Sequence, residues 1–268
     1  MDQRKTKAFF EGRDIHAYNI FGAHLEANGV RFRVYAPNAK NISVIGTFND
    51  WDDQASKMKK DKRGIWECFV QGAKNQDSYK YRVWQANGEL VDKMDPYAFY
   101  SELRPNTASI VSDLSYDGWT DKKWLDQRNK GFDSPVNIYE MHVGSWKKED
   151  ENEEFVQYHE IEKDLIEHCK KHHFTHVEVM PLCEYPFDGS WGYQATGFYS
   201  ATSRYGQPKQ LMKFIDACHQ EGIGVIMDFV PAHFVKDSHG LHMYDGGFVY
   251  DYNDYNRRYS PWDSVYFD

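Results

Sequence analysis

The spacing of apolar residues changes once along this chain, and that change limits the folds open to it. Between Gly29 and Asp95, short runs alternate apolar and polar residues and are broken by turn residues. This pattern is typical of antiparallel strands with one buried face. From Val136 onward, apolar stretches alternate with segments in which apolar residues recur at the helical period. The chain is therefore predicted to fold as an all-β module followed by a separate α/β domain.

The β-module has the size and strand pattern of an immunoglobulin-like sandwich. In its first clear strand, apolar residues alternate with Arg31 and Arg33. We predict an N-terminal extension over residues 1–20 and the sandwich over residues 21–112. Because the periodicity fails over residues 113–135, this segment is predicted to connect the two domains.

The α/β domain is predicted to span residues 136–268. One of its helices is indicated by Ile161, Leu165 and Cys169, which recur every four residues. Because parallel crossovers are right-handed, strand–helix–strand units build either a doubly wound sheet or a barrel, and periodicity leaves both open. The predicted strands cover residues 136–143, 175–180 and 223–230, and the predicted helices cover residues 154–172 and a segment from Pro208 to Gly222.

Composition and charge exclude several classes of function. Acidic residues outnumber basic ones by 41 to 32, so the net charge of −9 is expected to repel nucleic acid. No apolar stretch approaches the roughly 18 residues that a membrane helix needs, and the N-terminus lacks the apolar segment of a secretion signal. The four cysteines show no CxxC spacing, which favours reduced interior thiols in a cytoplasmic protein over a zinc site or disulfides. We predict neither a metal site nor a cofactor.

Aromatic residues make up 16% of the chain, and many stand beside Gly, Asp and Asn rather than in apolar runs. Packing in the core and around the sheets accounts for most of them. The others are candidates for platforms under sugar rings, because a sugar has an apolar face and a hydroxylated edge.

Polar and aromatic residues follow the predicted parallel strands, at the ends where functional groups gather in either α/β fold. The second strand opens a loop over residues 182–205, far longer than usual connections, in which Tyr193 is a candidate for stacking on a sugar. The alternative, that Tyr193 and Trp191 only cover the end of the sheet, stays open. Asp228 ends the third strand and is predicted to face a polar pocket, with His233 in the loop that follows. As a bare pattern, an Asp followed five residues later by a His is more often structural than catalytic.

Long stretches of both domains resemble known families. The β-module resembles carbohydrate-binding module family 48 in GVRFRVYAPNAKNISVIGTFNDWD, GIWECFV and YKYRVWQANGELVDKMDPYAF. The α/β domain resembles the first three strands and loops of glycoside hydrolase family 13 branching enzymes in YEMHVGSW, HVEVMPLCEYPFDGSWGYQATGFYSATSRYG and GVIMDFVPAHF. The resemblance covers nearly all of the chain from Asp14 onward. It implies an N-terminal immunoglobulin-like β-sandwich followed by an incomplete (β/α)8 TIM barrel, of which residues 136–268 supply the first three β/α units.

The resemblance implies substrate-binding roles for four residues. Tyr193 matches the aromatic platform under the sugar at subsite −1, and His233 matches a residue that hydrogen-bonds the same sugar. Asp228 matches an acidic residue that supports the active-site network without being the nucleophile. Trp51 matches a position that stacks on glucan in some modules of this type, and a purely structural role for it stays open.

The resemblance also implies a reaction whose catalytic carboxylates lie elsewhere. Branching enzymes cleave an α-1,4 link and re-form it as an α-1,6 branch with retention, which requires a nucleophile and an acid/base carboxylate about 5–5.5 Å apart. In the family these groups and a stabilising carboxylate come from later barrel strands, so we expect them after Asp268 and predict no catalytic residue within the chain. The implied partner is an α-1,4-glucan such as glycogen. The alternatives are a non-catalytic glucan-binding protein and part of a debranching or trehalose-releasing hydrolase.

Overall fold

The computed structural model describes residues 3–128, 133–147 and 154–268, which fall into two compact units. The first unit comprises Met1–Asp113, Ala195–Ser200 and Pro231–Asp268, and the second comprises Leu114–Gln194 and Ala201–Val230. The division by sequence instead assigns residues 136–268 to one α/β domain, and that division stays a prediction.

No helix in the described part of the chain combines the length and the apolar character needed to cross a bilayer.

The secondary structure changes where the spacing of apolar residues changes, from mainly strands to alternating strands and helices. Up to residue 113 the elements are α1 (Gln3–Phe10), β1 (Gly22–Glu26), β2 (Gly29–Tyr35), β3 (Asn41–Gly46), β4 (Lys59–Lys60), β5 (Ile65–Gln71), β6 (Ser78–Trp84), β7 (Leu90–Lys93), β8 (Tyr100–Ser101) and β9 (Ser109–Ile110). They are followed by α2 (Lys122–Gln127), β10 (Ile138–Met141), α3 (Val143–Trp146), α4 (Tyr158–Lys171), β11 (His176–Val179), β12 (Cys183–Glu184), β13 (Gly197–Ala201), α5 (Pro208–Gln220), β14 (Gly224–Met227), β15 (His233–Phe234), α6 (Tyr255–Arg258) and β16 (Val265–Tyr266).

A β-sandwich forms the main part of the first unit. Strands β1, β2, β5 and β4 form one antiparallel sheet in that order, and β8, β9, β6 and β3 lie side by side in a second, with β7 paired to β6. Val30, Phe32 and Val34 of β2 are fully buried, and Tyr79 and Tyr81 of β6 belong to the same core. The alternation in the sequence thus places every second side chain between the sheets, and the predicted immunoglobulin-like sandwich is confirmed.

The same unit includes residues 231–268, which pack on the sandwich through buried polar contacts. Lys93 donates from Nζ to the carbonyls of Gly240 at 3.1 Å and His242 at 2.8 Å. The hydroxyl of Tyr244 donates to the carbonyl of Met94 at 3.0 Å. These contacts join positions about 150 residues apart, so no local pattern in the sequence predicts them.

Three parallel strands form the sheet of the second unit, in the order β10, β11, β14. Ile138, His176 and Gly224 lie side by side at its start. Helices α4 and α5 cover one face, where Leu165 and Phe214 are buried in one core. The predicted strand–helix–strand units are therefore present.

The parallel strands are shorter than the predicted ones. The first strand ends at Met141 and the third at Met227, because both pair with β11, whose ladder ends at Val179. Asp228 consequently lies immediately beyond the sheet, and its N–H donates to the carbonyl of Val179 at 2.9 Å.

The predicted connector is anchored on α5 where the structure describes it. The N–H of Thr120 donates to Asp216 at 2.7 Å, and the rings of Trp124 and His219 stack with centroids 3.7 Å apart. Residues 129–132 of the connector lie outside the described residues.

The four cysteines are free thiols. Burial raises the pKa of Cys68 and of Cys218 to about 12 and that of Cys183 to about 11, and it also raises the pKa of Cys169. Because the thiolate is the reactive form, all four side chains are inert at neutral pH.

Candidate functional site

Tyr193 and Asp228 lie in contact within the second unit. The Tyr193 hydroxyl donates a hydrogen bond of 2.6 Å to Oδ2 of Asp228. Asp228 follows β14, and Tyr193 belongs to the long loop that follows β11. The structure therefore brings together two of the residues predicted from sequence, at the carboxyl ends of the parallel strands.

The environment of this pair is acidic. The hydrogen bond to Asp228 is the main cause that raises the pKa of Tyr193 to about 12, with burial and the charges of Glu140 and Glu178 as further causes. Glu140 and Glu178 lie opposite each other on β10 and β11. Tyr193 is thus protonated at neutral pH, and its ring is fixed by an acceptor that also fits a sugar hydroxyl.

A glycine sets the backbone immediately before Tyr193. Gly192 has φ of +91°, and a Cβ at this position would lie 2.5 Å from the carbonyl oxygen of Pro181. Only glycine fits both the left-handed conformation and this close approach. Trp191 precedes it with φ of 53°, and its side chain is 56% exposed.

A buried arginine joins the two ends of the loop. The guanidinium of Arg204 has no exposed surface and donates to Glu184 at 2.7 Å and to Asp188 at 2.7 and 2.9 Å. Its Cζ lies 3.8 Å from the ring centre of Tyr185. Burial raises the pKa of Glu184. The guanidinium of Arg204 and the hydrogen bond from the N–H of Ser203 act in the opposite direction and lower it. These contacts hold the loop that carries Tyr193 in a defined conformation.

A chain of four polar side chains links two residues of the loop to the segment that follows β10. The hydroxyls of Tyr185 and Tyr205 are 3.0 Å apart, and that of Tyr205 is 3.0 Å from Nε2 of His142. Nδ1 of His142 is 3.0 Å from the hydroxyl of Ser145. Burial lowers the pKa of His142, so this imidazole is neutral at pH 7 and both of its ring nitrogens have partners.

His233 belongs to the first unit, in the short strand β15, where it pairs with Tyr266. Its Nδ1 is buried and has no hydrogen-bond partner among the described residues. Its ring centre is 6.0 Å from that of Trp262. The convergence of His233 with Tyr193 and Asp228 stays a prediction.

Trp51 also belongs to the first unit, in the turn that follows β3. Its side chain is 37% exposed, and its backbone has φ of 61°. The turn is closed by Asn49, whose side chain accepts from the N–H of Gly46 at 2.9 Å and donates to the carbonyl of Val44 at 3.0 Å. The turn thus fixes the backbone of an indole that remains accessible to a ligand.

Sequence reasoning missed the residues that support the loop, above all Glu184, Arg204 and Tyr205. The one signal available was an arginine in a loop otherwise rich in small and aromatic residues. A buried arginine needs carboxylate partners, but nothing in the sequence indicates which acidic residues these are.

The site combines a flat ring, a carboxylate acceptor and an acidic surround. This combination suits a neutral ligand with many hydroxyl groups rather than an anion. Among the described residues, no group of three His, Cys, Asp or Glu side chains could hold a metal ion.

Two known families match separate parts of the chain. Residues 20–98 match carbohydrate-binding module 48, the isoamylase N-terminal domain. Residues 164–255 match the alpha amylase catalytic domain. The order of the two families along the chain is that of the two resemblances found in the sequence.

Curated relatives match over the whole chain. The 1,4-alpha-glucan branching enzyme GlgB of Bacillus anthracis is 46% identical over 275 aligned positions, which cover 100% of this chain and 42% of the relative. The protein of the same name from Fusobacterium nucleatum is 46% identical over 270 residues, covering 99% of this chain and 44% of the relative. The chain thus spans less than half the length of these relatives. Among solved structures, pullulanase from Bacillus acidopullulyticus superposes with a TM-score of 0.72 at 23% identity, covering 92% of this chain and 34% of that one, which supports the fold.

Proposed function

Because the chain belongs to the family of 1,4-alpha-glucan branching enzymes, with which it shares sequence over its whole length, we propose that it holds the glucan substrate of such an enzyme. The observation that carries the proposal is the Tyr193–Asp228 pair at the ends of the parallel strands. The reaction proposed for the whole enzyme is the transfer of an α-1,4-glucan segment to a 6-hydroxyl, in glycogen synthesis in the cytoplasm.

In this proposal the three parallel strands are the first three of a (β/α)8 barrel. Tyr193 lies under the sugar at subsite −1, and Asp228 fixes the ring of Tyr193 through its hydroxyl. His233 hydrogen-bonds the same sugar. Trp51 stacks on a second stretch of glucan at the β-sandwich, for which its exposed indole is suited.

The bond-breaking groups are not among these residues. Double displacement requires two carboxylates with different roles, whereas Asp228 accepts the hydrogen bond of Tyr193. We therefore expect the polypeptide of residues 1–268 to bind glucan without forming new α-1,6 links from amylose. New links made by the purified polypeptide would contradict this assignment.

Affinity electrophoresis in glycogen-containing gels tests the role of Trp51. Trp51→Ala removes an aromatic surface from the ligand, so we expect roughly fivefold to tenfold weaker retardation. Trp119→Ala is the matched control, because Trp119 is 43% exposed but belongs to the other unit. Equal retardation of the Trp51→Ala variant and the unsubstituted chain would assign Trp51 a structural role.

A non-catalytic glucan-binding protein remains the second candidate function. The exposed indole of Trp51 favours this function as well. It also predicts weaker retardation of the Trp51→Ala variant in glycogen-containing gels. In this alternative both the β-sandwich and the parallel strands anchor the glucan, so Tyr193→Ala tests the loop of the second unit in either candidate. This variant lowers affinity only if the loop of the second unit is also a glucan site.

A further inference from the structure

A charged groove crosses the outer face of the sheet formed by β1, β2, β5 and β4. It has a volume of about 460 Å³ and is lined by residues of three strands and the segment before β4. The residues that matter are Arg31, Lys57, Lys59, Glu67 and Phe69. This groove is distinct from the turn that presents Trp51.

An exposed aromatic ring lines the groove. Phe69 of β5 is 40% exposed although it stands in a strand. Its neighbour across the sheet is Arg31 of β2, whose Cζ lies 5.3 Å from the ring centre. Lys57 precedes β4, bridges Ser43 of β3 and lines the same groove. Arg31 thus lies beside the ring, and Lys57 and Lys59 add two further cations to the groove.

The carboxylates of the groove are already engaged by arginines. Glu67 accepts from both Arg33 and Arg31, and Asp61 accepts from Arg63 at 2.9 Å. In the described part of the chain, neither Lys57 nor Lys59 forms an ion pair, and both side chains are exposed. Two lysines without a carboxylate partner therefore stand beside an accessible ring, in a protein whose net charge is −9.

We propose that this groove binds a sugar ring that carries a phosphate monoester. The ring packs on Phe69, and the phosphate lies between Lys57 and Lys59, which supply point charges and N–H donors. A neutral glucan would use the aromatic ring and leave the two lysines unpaired. A nucleic acid is disfavoured, because the overall charge of the chain repels a polyanion.

Titration of the chain with glucose 6-phosphate, glucose and inorganic phosphate, followed by NMR, tests the proposal. Glucose 6-phosphate is expected to bind more tightly than either of the others, since it alone uses both halves of the groove. Lys57→Gln combined with Lys59→Gln is expected to weaken binding roughly threefold to tenfold, the range for two exposed charge contacts. Phe69→Ala is expected to reduce binding of glucose 6-phosphate and leave that of inorganic phosphate unchanged.

Lys122→Gln combined with Lys163→Gln is the matched control, because it removes the same charge from lysines that are 86% and 84% exposed in the other unit. An equal loss of affinity for glucose 6-phosphate in both double variants would overturn the proposal, because it would show a general effect of net charge. Identical binding of phosphate and glucose 6-phosphate, or no binding of either, would also overturn it.

Electrophoresis in gels of phosphate-bearing starch, before and after phosphatase treatment, identifies the source of the sugar phosphate. Stronger retardation before treatment, lost in the Lys57/Lys59 variant, supports phosphate esters on a glucan. Binding of free glucose 6-phosphate without that difference supports a free sugar phosphate. Trp51→Ala should lower retardation equally in both gels, so the outcome for the groove is independent of the proposed function.

Discussion

Replacing Arg204 by methionine is expected to destabilise the second unit by about 3–5 kcal/mol, the usual cost of breaking one side of a buried ion pair. Arg204 is fully buried, and its removal takes the guanidinium away from the carboxylate of Glu184, which is only 8% exposed. The donors that stay at Glu184 include the N–H groups of Ser203 and Tyr185, at 3.0 and 3.2 Å, and the hydroxyl of Ser203, at 3.4 Å. These neutral donors replace only part of the lost interaction.

The free energy of unfolding of the second unit can be measured in urea, with amide hydrogen exchange in β11 and β14 as the probe. Lys170→Ala is the matched control, because its ion pair with Glu221 is exposed and should contribute less than about 1 kcal/mol. The decrease in the free energy of unfolding caused by Arg204→Met should become smaller at lower pH. Without its cation, the pKa of Glu184 rises further above its value in the unfolded chain, so the folded variant gains stability as pH falls. A penalty similar to that of Lys170→Ala would contradict the role of Arg204 as the anchor of the loop.

The stability of the β-sandwich is expected to depend on the protonation of Asp95. Asp95 is fully buried and accepts from the hydroxyls of Tyr79 at 2.7 Å and Tyr81 at 3.0 Å. Burial raises its pKa to about 6 from 3.8, against the effect of these hydrogen bonds. The folded state therefore binds the proton more tightly than the unfolded chain, so the stabilisation is present below pH 3.8 and is lost as pH rises through 6.

Comparison with Asp95→Asn isolates this effect, since asparagine has nearly the same shape and does not titrate. The stability of the unsubstituted protein relative to the variant should fall by about 2.5 kcal/mol between pH 4 and pH 7.5, slightly less than the full effect of about two pKa units because the unfolded chain is already partly ionised at pH 4. Other titrating groups cancel in the difference. A difference that stays constant over this range would show that Asp95 titrates at its ordinary pKa.

Much of the fold could be predicted from the sequence because it depends on local periodicity. The alternation of apolar and polar residues in β2 places Val30, Phe32 and Val34 on one buried face. The four-residue spacing of Ile161 and Leu165 likewise places both side chains on the buried face of α4. Tyr193 and Asp228 were predicted as site residues, because long loops and polar residues at strand ends are local features.

The rest depends on contacts between distant positions. The partners of Arg204 are set by the fold of the loop, and those of Asp95 by the registers of β6 and β9. The groove around Phe69 depends on the registers of β2, β4 and β5. A single sequence contains no signal for such registers, since alternation fixes the face of a side chain but not its cross-strand neighbour.

A titration of the 15N-labelled chain with maltoheptaose tests the proposed glucan sites directly. We expect shifts of the Tyr193 amide and the Trp51 indole N–H, assigned from Tyr193→Phe and Trp51→Phe. Asp228→Asn is expected to weaken the shift at Tyr193 and to leave that at Trp51 unchanged. A folded chain whose Tyr193 signal is unaffected at saturating maltoheptaose would contradict the assignment of the Tyr193–Asp228 pair as a glucan site.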